Sequence, residues 1–185
     1  MSSPFVLPIS QPLDLTSTLA SGQCFRWRVD SSGAWNGVFG RDLVRLRMTG
    51  SSLEIESAPT PPAEIAESIV AYLRLDDDLA AIQSALVVDQ RVADGITAYP
   101  GLRLLRQDPW ETLAAFILSS TSNIPRISKT VELLAGTFGD PVQLADIRRH
   151  TFATPAALAD AGEPRLRELG CGFRAPYLAG AARAV

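Results

Sequence analysis

The sequence contains no long hydrophobic run and no recognisable export signal. Its longest apolar stretches fall well short of the ~18 residues that a membrane-spanning helix needs, which excludes a membrane-spanning helix. Residues 1–15 lack the basic region and apolar block of a secretory signal. These absences predict an intracellular protein that does not bind membranes.

Residues that commonly bind metals are scarce. The chain has two cysteines, Cys24 and Cys171, which are far apart in sequence, and a single histidine, His150. A zinc site needs about four such ligands at close spacings, so the sequence predicts no metal site. Since it also contains no cofactor motif, we expect no cofactor and two free thiols.

Lysine is almost absent, and the charge is divided unevenly along the chain. The net charge is −3, which argues weakly against a protein that binds nucleic acid regardless of its sequence. Residues 1–100 carry 7 basic and 12 acidic side chains, a net of −5, whereas residues 101–185 carry 10 and 8, a net of +2. Any surface that faces phosphates should therefore lie in the second half.

The first ~58 residues show the two-residue alternation of half-buried strands. Apolar residues alternate with polar ones over residues 23–29, 44–48 and 53–56, and residues 34–39 follow a turn cluster. Consecutive strands joined by short turns predict an antiparallel sheet with one solvated face.

From Thr60 onward the apolar residues recur at helical spacing. We expect Thr60 to cap a helix that has prolines in its first turn, and a second helix to cover residues 78–88. A sheet followed by helices predicts an α+β fold with a first domain at residues 1–100.

The second half, residues 101–185, is predicted to be helical. Asp108 should cap a helix of residues 109–120, with Pro109 in its first position and Glu111 completing a capping box. This helix is expected to bury Trp110, Leu113, Phe116 and Ile117. Further helices are expected at residues 124–138, from Pro155, from Pro164 to Gly170, and from Pro176 to the last residue. The last helix has nothing after it to pack against, so we expect the chain to be part of a longer protein.

Three segments resemble one family. Residues 20–27, ASGQCFRW, resemble the SGQ-x-FRW strand of the 8-oxoguanine DNA glycosylases, and residues 104–111, LLRQDPWE, resemble their LLRQDP helix start. Residues 169–177, LGCGFRAPY, resemble their LGxG-aromatic-RA-x-Y segment. The three occur in the family's order and spacing, over essentially the whole chain.

The resemblance implies a sheet domain followed by a helical domain with a helix-hairpin-helix, and an active site in the cleft between them. It implies a monomeric enzyme that extrudes oxidised guanine from double-stranded DNA. A lysine then attacks the sugar, and the strand is cut by β-elimination.

The same resemblance assigns roles to six residues. Gly22 matches the glycine whose carbonyl accepts a hydrogen bond from N7–H of 8-oxoguanine. Arg126 and Arg174 match two arginines that bind the estranged cytosine, whose O2 and N3 acceptors a guanidinium fork can reach together. Phe173 matches an aromatic wedge beside them. Thr121 and Asn123 belong to the family's Ser-Ser-Asn-Asn-Asn break, which here reads SSTSN. Because Thr121 replaces the first Asn of that run, hole filling and opposite-base selectivity should differ.

The family's catalytic lysine and aspartate lie in a hairpin that would follow Val185. Lys129 aligns with a non-catalytic position, so we expect this chain alone to be inactive. Two alternatives stay open from the sequence. One is a related glycosylase for alkylated purines, and the other is a non-catalytic module that binds damaged DNA.

Overall fold

A computed structural model describes residues 3–185 and confirms the α+β fold. Five antiparallel strands form the main sheet in the order β1-β5-β4-β3-β2. They are β1 Phe5–Pro8, β2 Arg28–Val29, β3 Trp35–Phe39, β4 Asp42–Thr49 and β5 Ser52–Ala58. Alternate residues are buried along β5, as the sequence predicted, whereas in β4 Val44 and Leu46 are buried as expected but Asp42 and Leu43 are buried too and Met48 is half-buried.

The predicted strand at residues 23–29 is wrong over most of its length. Only Arg28 and Val29 pair with β3, and residues 21–27 form a loop. The loop forms because Gln23 bonds to backbone groups 80 residues away instead of to a neighbouring strand. The alternation of Phe25 and Trp27 therefore reflects packing on two different cores.

Four helices belong to the first half: α1 Leu15–Leu19, α2 Pro62–Tyr72, α3 Leu79–Leu86 and α4 Gln90–Ala98. Asp78 caps α3, which lies within the helix predicted at residues 78–88, but the capping residue of α2 is Pro61 and not Thr60. Thr60 lies one residue before the cap position, where its amide donates to Asp42 and its carbonyl accepts from the Ser57 hydroxyl. β1, α1 and α4 were not predicted.

The second half contains helices α5 Pro109–Ser119, α6 Ile124–Phe138, α7 Pro155–Leu166 and α8 Ala175–Ala184. Gly162, with a φ of 69°, kinks α7 just before Pro164, which explains why the sequence indicated two helix starts. An unpredicted hairpin, β6 Pro141–Leu144 and β7 Ile147–His150, follows α6. The short turns Arg167–Cys171 and Gly172–Arg174 connect α7 to α8.

The buried side chains form two clusters. One lies between the sheet and α2, and the other lies among α5, α6, α7 and α8. The predicted core face of α5 is partly wrong: Ala114, Ala115 and Leu118 are buried, whereas Phe116 is 74% exposed. Leu113 is also exposed, and Trp110 and Ile117 are half-buried. Within residues 3–185, no helix has the length and apolar character to span a bilayer.

Candidate nucleic-acid interface

The polar break between α5 and α6 is a tight turn, which we call the 119–122 turn. The amide of Ser122 donates to the carbonyl of Ser119 at 3.1 Å. Ser120 has φ −54° and ψ 120°, and Thr121 has a φ of 49°. These angles match a type II turn, whose third residue is usually Gly or Asn because its φ must be positive. A β-branched residue such as Thr121 is strained there.

Arg174, which immediately precedes α8, holds this turn. Its side chain is buried, and its Nε donates to the Ser120 carbonyl at 2.7 Å. Its Nη2 donates to the same carbonyl and, at 2.8 Å, to the carbonyl of Thr121. Nη1 forms no hydrogen bond within residues 3–185, although Arg174 as a whole is only 3% exposed. One nitrogen of Arg174, rather than a two-pronged fork, therefore keeps unused donors.

Phe173 lies directly against this arginine. The guanidinium carbon of Arg174 is 4.4 Å from the centre of the Phe173 ring, a cation–π arrangement. The ring is 52% exposed. An aromatic side chain that is held in place on one face and open on the other has the form that a wedge between bases requires.

Asn123 and Arg126 lie at the start of α6. The side chain of Asn123 accepts a hydrogen bond from the Arg126 amide at 3.0 Å, so Asn123 acts as the helix cap. The Arg126 side chain is exposed and forms no ion pair within the described residues. One turn later, the hydroxyl of Thr130 lies 3.9 Å from where a Cβ on Gly170 would be. Arg126 therefore lies on the edge of α6 nearest the Gly170–Arg174 segment.

Gly22 lies beside the same helix start. Its φ is +86°, and a Cβ at this position would be 3.0 Å from Cδ1 of Ile124. Its carbonyl accepts no hydrogen bond from residues 3–185. Gly22, Phe116 and Ser119 line a cavity of about 220 Å³, which lies between the 21–27 loop and α5.

Gln23 fixes the position of the 21–27 loop. Its amide nitrogen donates to the carbonyls of Thr18 and Arg103, and its amide oxygen accepts from the Leu105 amide. Gln107 in turn donates to the Gln23 carbonyl at 2.6 Å. Two of the three segments that resemble the family, residues 20–27 and 104–111, thus hold each other, and Gln23 was not singled out from the sequence. A glutamine in a polar segment does not indicate hydrogen bonds to residues so distant in sequence.

A second buried arginine, Arg26, joins the sheet domain to the helices. It lies 3.4 Å from Glu111 and 3.2 Å from Glu132, and it also donates to the carbonyl of His150. Arg149 binds Glu132 at 2.6 Å and the Arg26 carbonyl at 2.9 Å. Glu111 therefore reaches into this network instead of closing the expected capping box, although Asp108 caps α5 as predicted.

Burial changes the acid–base properties of three groups near these segments. Burial raises the pKa of Glu111 above its usual range, and the nearby Arg26 partly offsets this. Burial also raises the pKa of the Cys24 thiol to about 12 and that of Cys171 to about 11. Both thiols are protonated at neutral pH, so neither acts as a nucleophile there.

The structure brings all six sequence-predicted site residues to the end of α5 and the start of α6. Thr121 lies in the 119–122 turn and Asn123 follows it, Arg174 bonds to the turn with Phe173 stacked on the arginine, and Gly22 lies against Ile124. Arg126 projects from the same end of α6 into solvent. Among residues 3–185 there is no group of three or more His, Cys, Asp or Glu side chains that could hold a metal ion.

Comparison with known proteins places this arrangement in a family. The family model described as the 8-oxoguanine DNA glycosylase N-terminal domain matches residues 6–113. The chain is 38% identical over 117 residues to the N-glycosylase/DNA lyase of Saccharomyces cerevisiae, and this match covers 62% of the chain. It is 31% identical over 180 residues, 94% of its length, to the N-glycosylase/DNA lyase OGG1 of Arabidopsis thaliana.

A solved structure of a related protein has the same fold over almost the whole of this chain. The Clostridium acetobutylicum 8-oxoguanine glycosylase/lyase, in complex with double-stranded DNA containing cytosine opposite 8-oxoguanine, superposes with a TM-score of 0.91. It is 26% identical, and the match covers 99% of this chain and 62% of that one. The chain spans 31% and 48% of the lengths of the yeast and plant relatives. The family model alone covers more than half of the chain, and the chain therefore belongs to the 8-oxoguanine DNA glycosylase family.

Proposed function

We propose that this chain is the DNA-reading portion of an 8-oxoguanine DNA glycosylase and abasic-site lyase. The observation that carries the proposal is the meeting of Phe173 and Arg174 with the 119–122 turn, beside the cavity at Gly22. In this proposal, residues 1–100 and 101–185 act as two domains, and the DNA lies across the end of the cleft between them.

Base extrusion explains why these residue types would be needed. Pulling a nucleotide out of a duplex costs a few kcal/mol, so the protein must fill the gap and bind the estranged partner. The exposed ring of Phe173 can stack in the gap, and Nη1 of Arg174 can donate to cytosine. Arg126 is exposed and outside any ion pair among the described residues, so it can donate there or to a neighbouring phosphate.

Gly22 would provide the contact that distinguishes the lesion. Its carbonyl has no partner among residues 3–185, and its cavity lies next to Phe116 and Ser119. 8-Oxoguanine carries a hydrogen on N7, whereas guanine presents only an acceptor there. A free carbonyl at Gly22 therefore attracts the oxidised base and repels the normal one.

The chemistry itself would need groups beyond these. Lys129 is the only lysine in the sequence, and its side chain is exposed on α6. It lies one turn after Arg126, with no ion pair among the described residues, which suits a phosphate contact rather than a buried, activated amine. We infer that residues 1–185 bind the substrate without forming a Schiff base. A protein with this task works inside the cell, where the DNA is.

The experiment compares binding and trapping on one set of duplexes. We expect the chain to bind a duplex with a tetrahydrofuran abasic analogue opposite cytosine about tenfold or more tightly than an intact duplex, since the extrusion cost is removed. With 8-oxoguanine opposite cytosine and borohydride, we expect no covalent complex. Equal affinity for both duplexes would overturn the binding proposal, and a trapped complex that disappears in Lys129→Ala would show that this chain has its own chemistry.

The two alternatives predict different outcomes. A glycosylase for alkylated purines would not prefer 8-oxoguanine over guanine opposite cytosine. A module that only binds damage would show the expected binding in the complete protein too, without strand cutting. The match of residues 6–113 to the 8-oxoguanine family favours the leading proposal over the first alternative.

A further inference from the structure

The 119–122 turn holds a peptide group in an orientation that its own sequence disfavours. Type I and type II turns differ mainly by a half rotation of the central peptide, here the one between Ser120 and Thr121. With threonine at the third position, the type I form is the intrinsic preference, because it needs no positive φ. The observed form is nevertheless type II, so an outside contact must favour it.

Arg174 makes that contact. Its Nε and Nη2 both donate to the carbonyl of Ser120, the oxygen of the central peptide. Rotating the peptide into the type I form would turn this oxygen away and break both hydrogen bonds. The bond from Nη2 to Thr121 holds the next carbonyl, so the guanidinium grips both sides of the strained residue.

The grip also fixes the arginine itself. Stacking on Phe173 and three bonds to backbone oxygens leave the guanidinium one orientation, with Nη1 as its free donor. Those oxygens are uncharged, and Arg174 forms no ion pair among the described residues, so its positive charge is not cancelled. The wedge, the turn and the free donor therefore form one rigid unit before any DNA arrives.

We propose that Arg174 is a positioning residue that holds the Ser120–Thr121 peptide in its type II orientation. By holding this peptide, Arg174 would keep Phe173 and the 119–122 turn in the arrangement that enters the gap in DNA before the DNA binds. The proposal rests on the proposed function for its DNA part, but the peptide orientation can be measured without DNA. Arg174 would then both contact the estranged base and hold the turn. How strongly the turn depends on Arg174 would be decided by whether residue 121 tolerates a positive φ.

The test is a double-mutant cycle between Arg174→Met and substitutions at Thr121. Glycine favours the type II form without help, whereas alanine at the same site removes the hydroxyl and still disfavours a positive φ. If Arg174 holds the peptide, Thr121→Gly should restore what Arg174→Met loses, and the matched control Thr121→Ala should not.

The first measurement is made by NMR on the free 185-residue chain. A strong nuclear Overhauser effect between the Ser120 α-proton and the Thr121 amide marks the type II form. We expect it in the wild type, its loss in Arg174→Met, and its return in Arg174→Met/Thr121→Gly. Persistence of this signal in a folded Arg174→Met variant would overturn the proposal.

The second measurement is affinity for the abasic-analogue duplex opposite cytosine. We expect Arg174→Met to weaken binding about tenfold or more and Thr121→Gly to recover a part of that loss, of order threefold or more. No recovery would mean that Arg174 acts only by touching the DNA. If the wild type does not bind the duplex, the proposed function fails, while the NMR result still decides the role of Arg174 in the turn. Should Arg174→Met not fold, Arg174→Lys is used, since it keeps the charge but loses the Nε donor to the Ser120 carbonyl, and we expect the type II signal to weaken. An unchanged signal in a folded Arg174→Lys variant would count against the proposal.

Discussion

Two buried arginines in this chain are satisfied in opposite ways. Arg26, where the sheet meets the helices, is surrounded by the carboxylates of Glu111 and Glu132. Arg174, beneath the 119–122 turn, bonds only to backbone carbonyls and an aromatic ring. The first charge is cancelled inside the protein, and the second is not. The comparison teaches that equal burial does not mean an equal role: Arg26 joins the sheet to the helices, whereas the charge of Arg174 is left for the DNA partner that we propose.

The sharpest way to break this comparison is to truncate each arginine in turn. Arg26→Met leaves the partly buried carboxylate of Glu111 without its partner and Glu132 with Arg149 alone, and we expect it to lower the free energy of unfolding by about 3–5 kcal/mol. Arg174→Met leaves only carbonyls unpaired next to an exposed turn, and we expect about 1–2 kcal/mol. Urea denaturation of both variants measures the difference. Equal losses would contradict the assignment of separate roles.

The next largest effect concerns the glycine beside the turn. Gly22→Ala places a side chain at a φ of +86° and 3.0 Å from Ile124, so we expect a loss of about 1–2 kcal/mol from the backbone alone, and more from the contact. The matched control is Gly33→Ala, at a φ of +81° with no atom within 4 Å. It should show the backbone loss only and should leave DNA binding unchanged, whereas Gly22→Ala should weaken both. If the two variants behave alike, the close approach at Gly22 has no effect.

A smaller effect of the opposite sign is expected at Thr121. Thr121→Asn puts a residue that tolerates a positive φ into the strained position of the turn, and we expect the unfolding free energy to rise by about 0.5–1 kcal/mol. Thr121→Ala keeps the strain and should not stabilise the chain. Thermal melts of the two variants and the wild type at the same pH compare their stabilities. A Thr121→Asn variant that is less stable than the wild type would mean that the turn is not strained in solution.

The smallest effect is a pH dependence in the sheet, far from the turn. The hydroxyl of Ser32, the guanidinium of Arg45 and two backbone amides hold the pKa of Asp30 below its usual value of 3.8. The unfolded chain therefore takes up this proton first, and the stability that Asp30 contributes is present above pH 3.8 and lost as the pH falls below it. Glu111 has the opposite sign: its raised pKa means that the folded chain takes up its proton first, so its contribution improves as the pH falls toward 4.5.

Stability measured by urea denaturation between pH 3 and pH 7 tests both signs. Asp30→Asn should flatten the loss of stability below about pH 4, and Glu111→Gln should remove the relative gain on the way down to pH 4.5. If Asp30→Asn steepened the loss of stability, the charge on Asp30 would not be stabilised in the folded chain. If Glu111→Gln increased the gain, the charge on Glu111 would not be disfavoured there.

The sequence predicted those parts of the fold where local chemistry is strong. The alternation in β4 and β5 and the Asp108-Pro109 start of α5 were read correctly because each depends on residues close in sequence. The loop at residues 21–27 was mistaken for a strand, since its form depends on bonds from Gln23 to residues 80 positions away. α4 was missed because its apolar face is short, with Val92 and Ile96 as its only large apolar residues, and because it contains Gly95, which disfavours a helix.

The candidate site could be predicted only through family resemblance. Nothing in the local sequence around Arg126 or Phe173 distinguishes them from an exposed arginine and a core aromatic. The grip of Arg174 on Ser120 and Thr121 joins residues more than 50 positions apart, and the positive φ of Thr121 runs against the preference of its own side chain. Such contacts are decided by tertiary packing, which a single sequence does not reveal.

Hydrogen exchange mapped on the DNA complex tests the central claim most directly. The 185-residue chain would be measured by mass spectrometry alone and with a duplex that carries the abasic analogue opposite cytosine. The account predicts that DNA slows exchange in the 119–122 turn, in residues 172–174 and around Gly22, and leaves α3 and α4 unchanged. Protection concentrated on α3 and α4, with none at the turn, would contradict it.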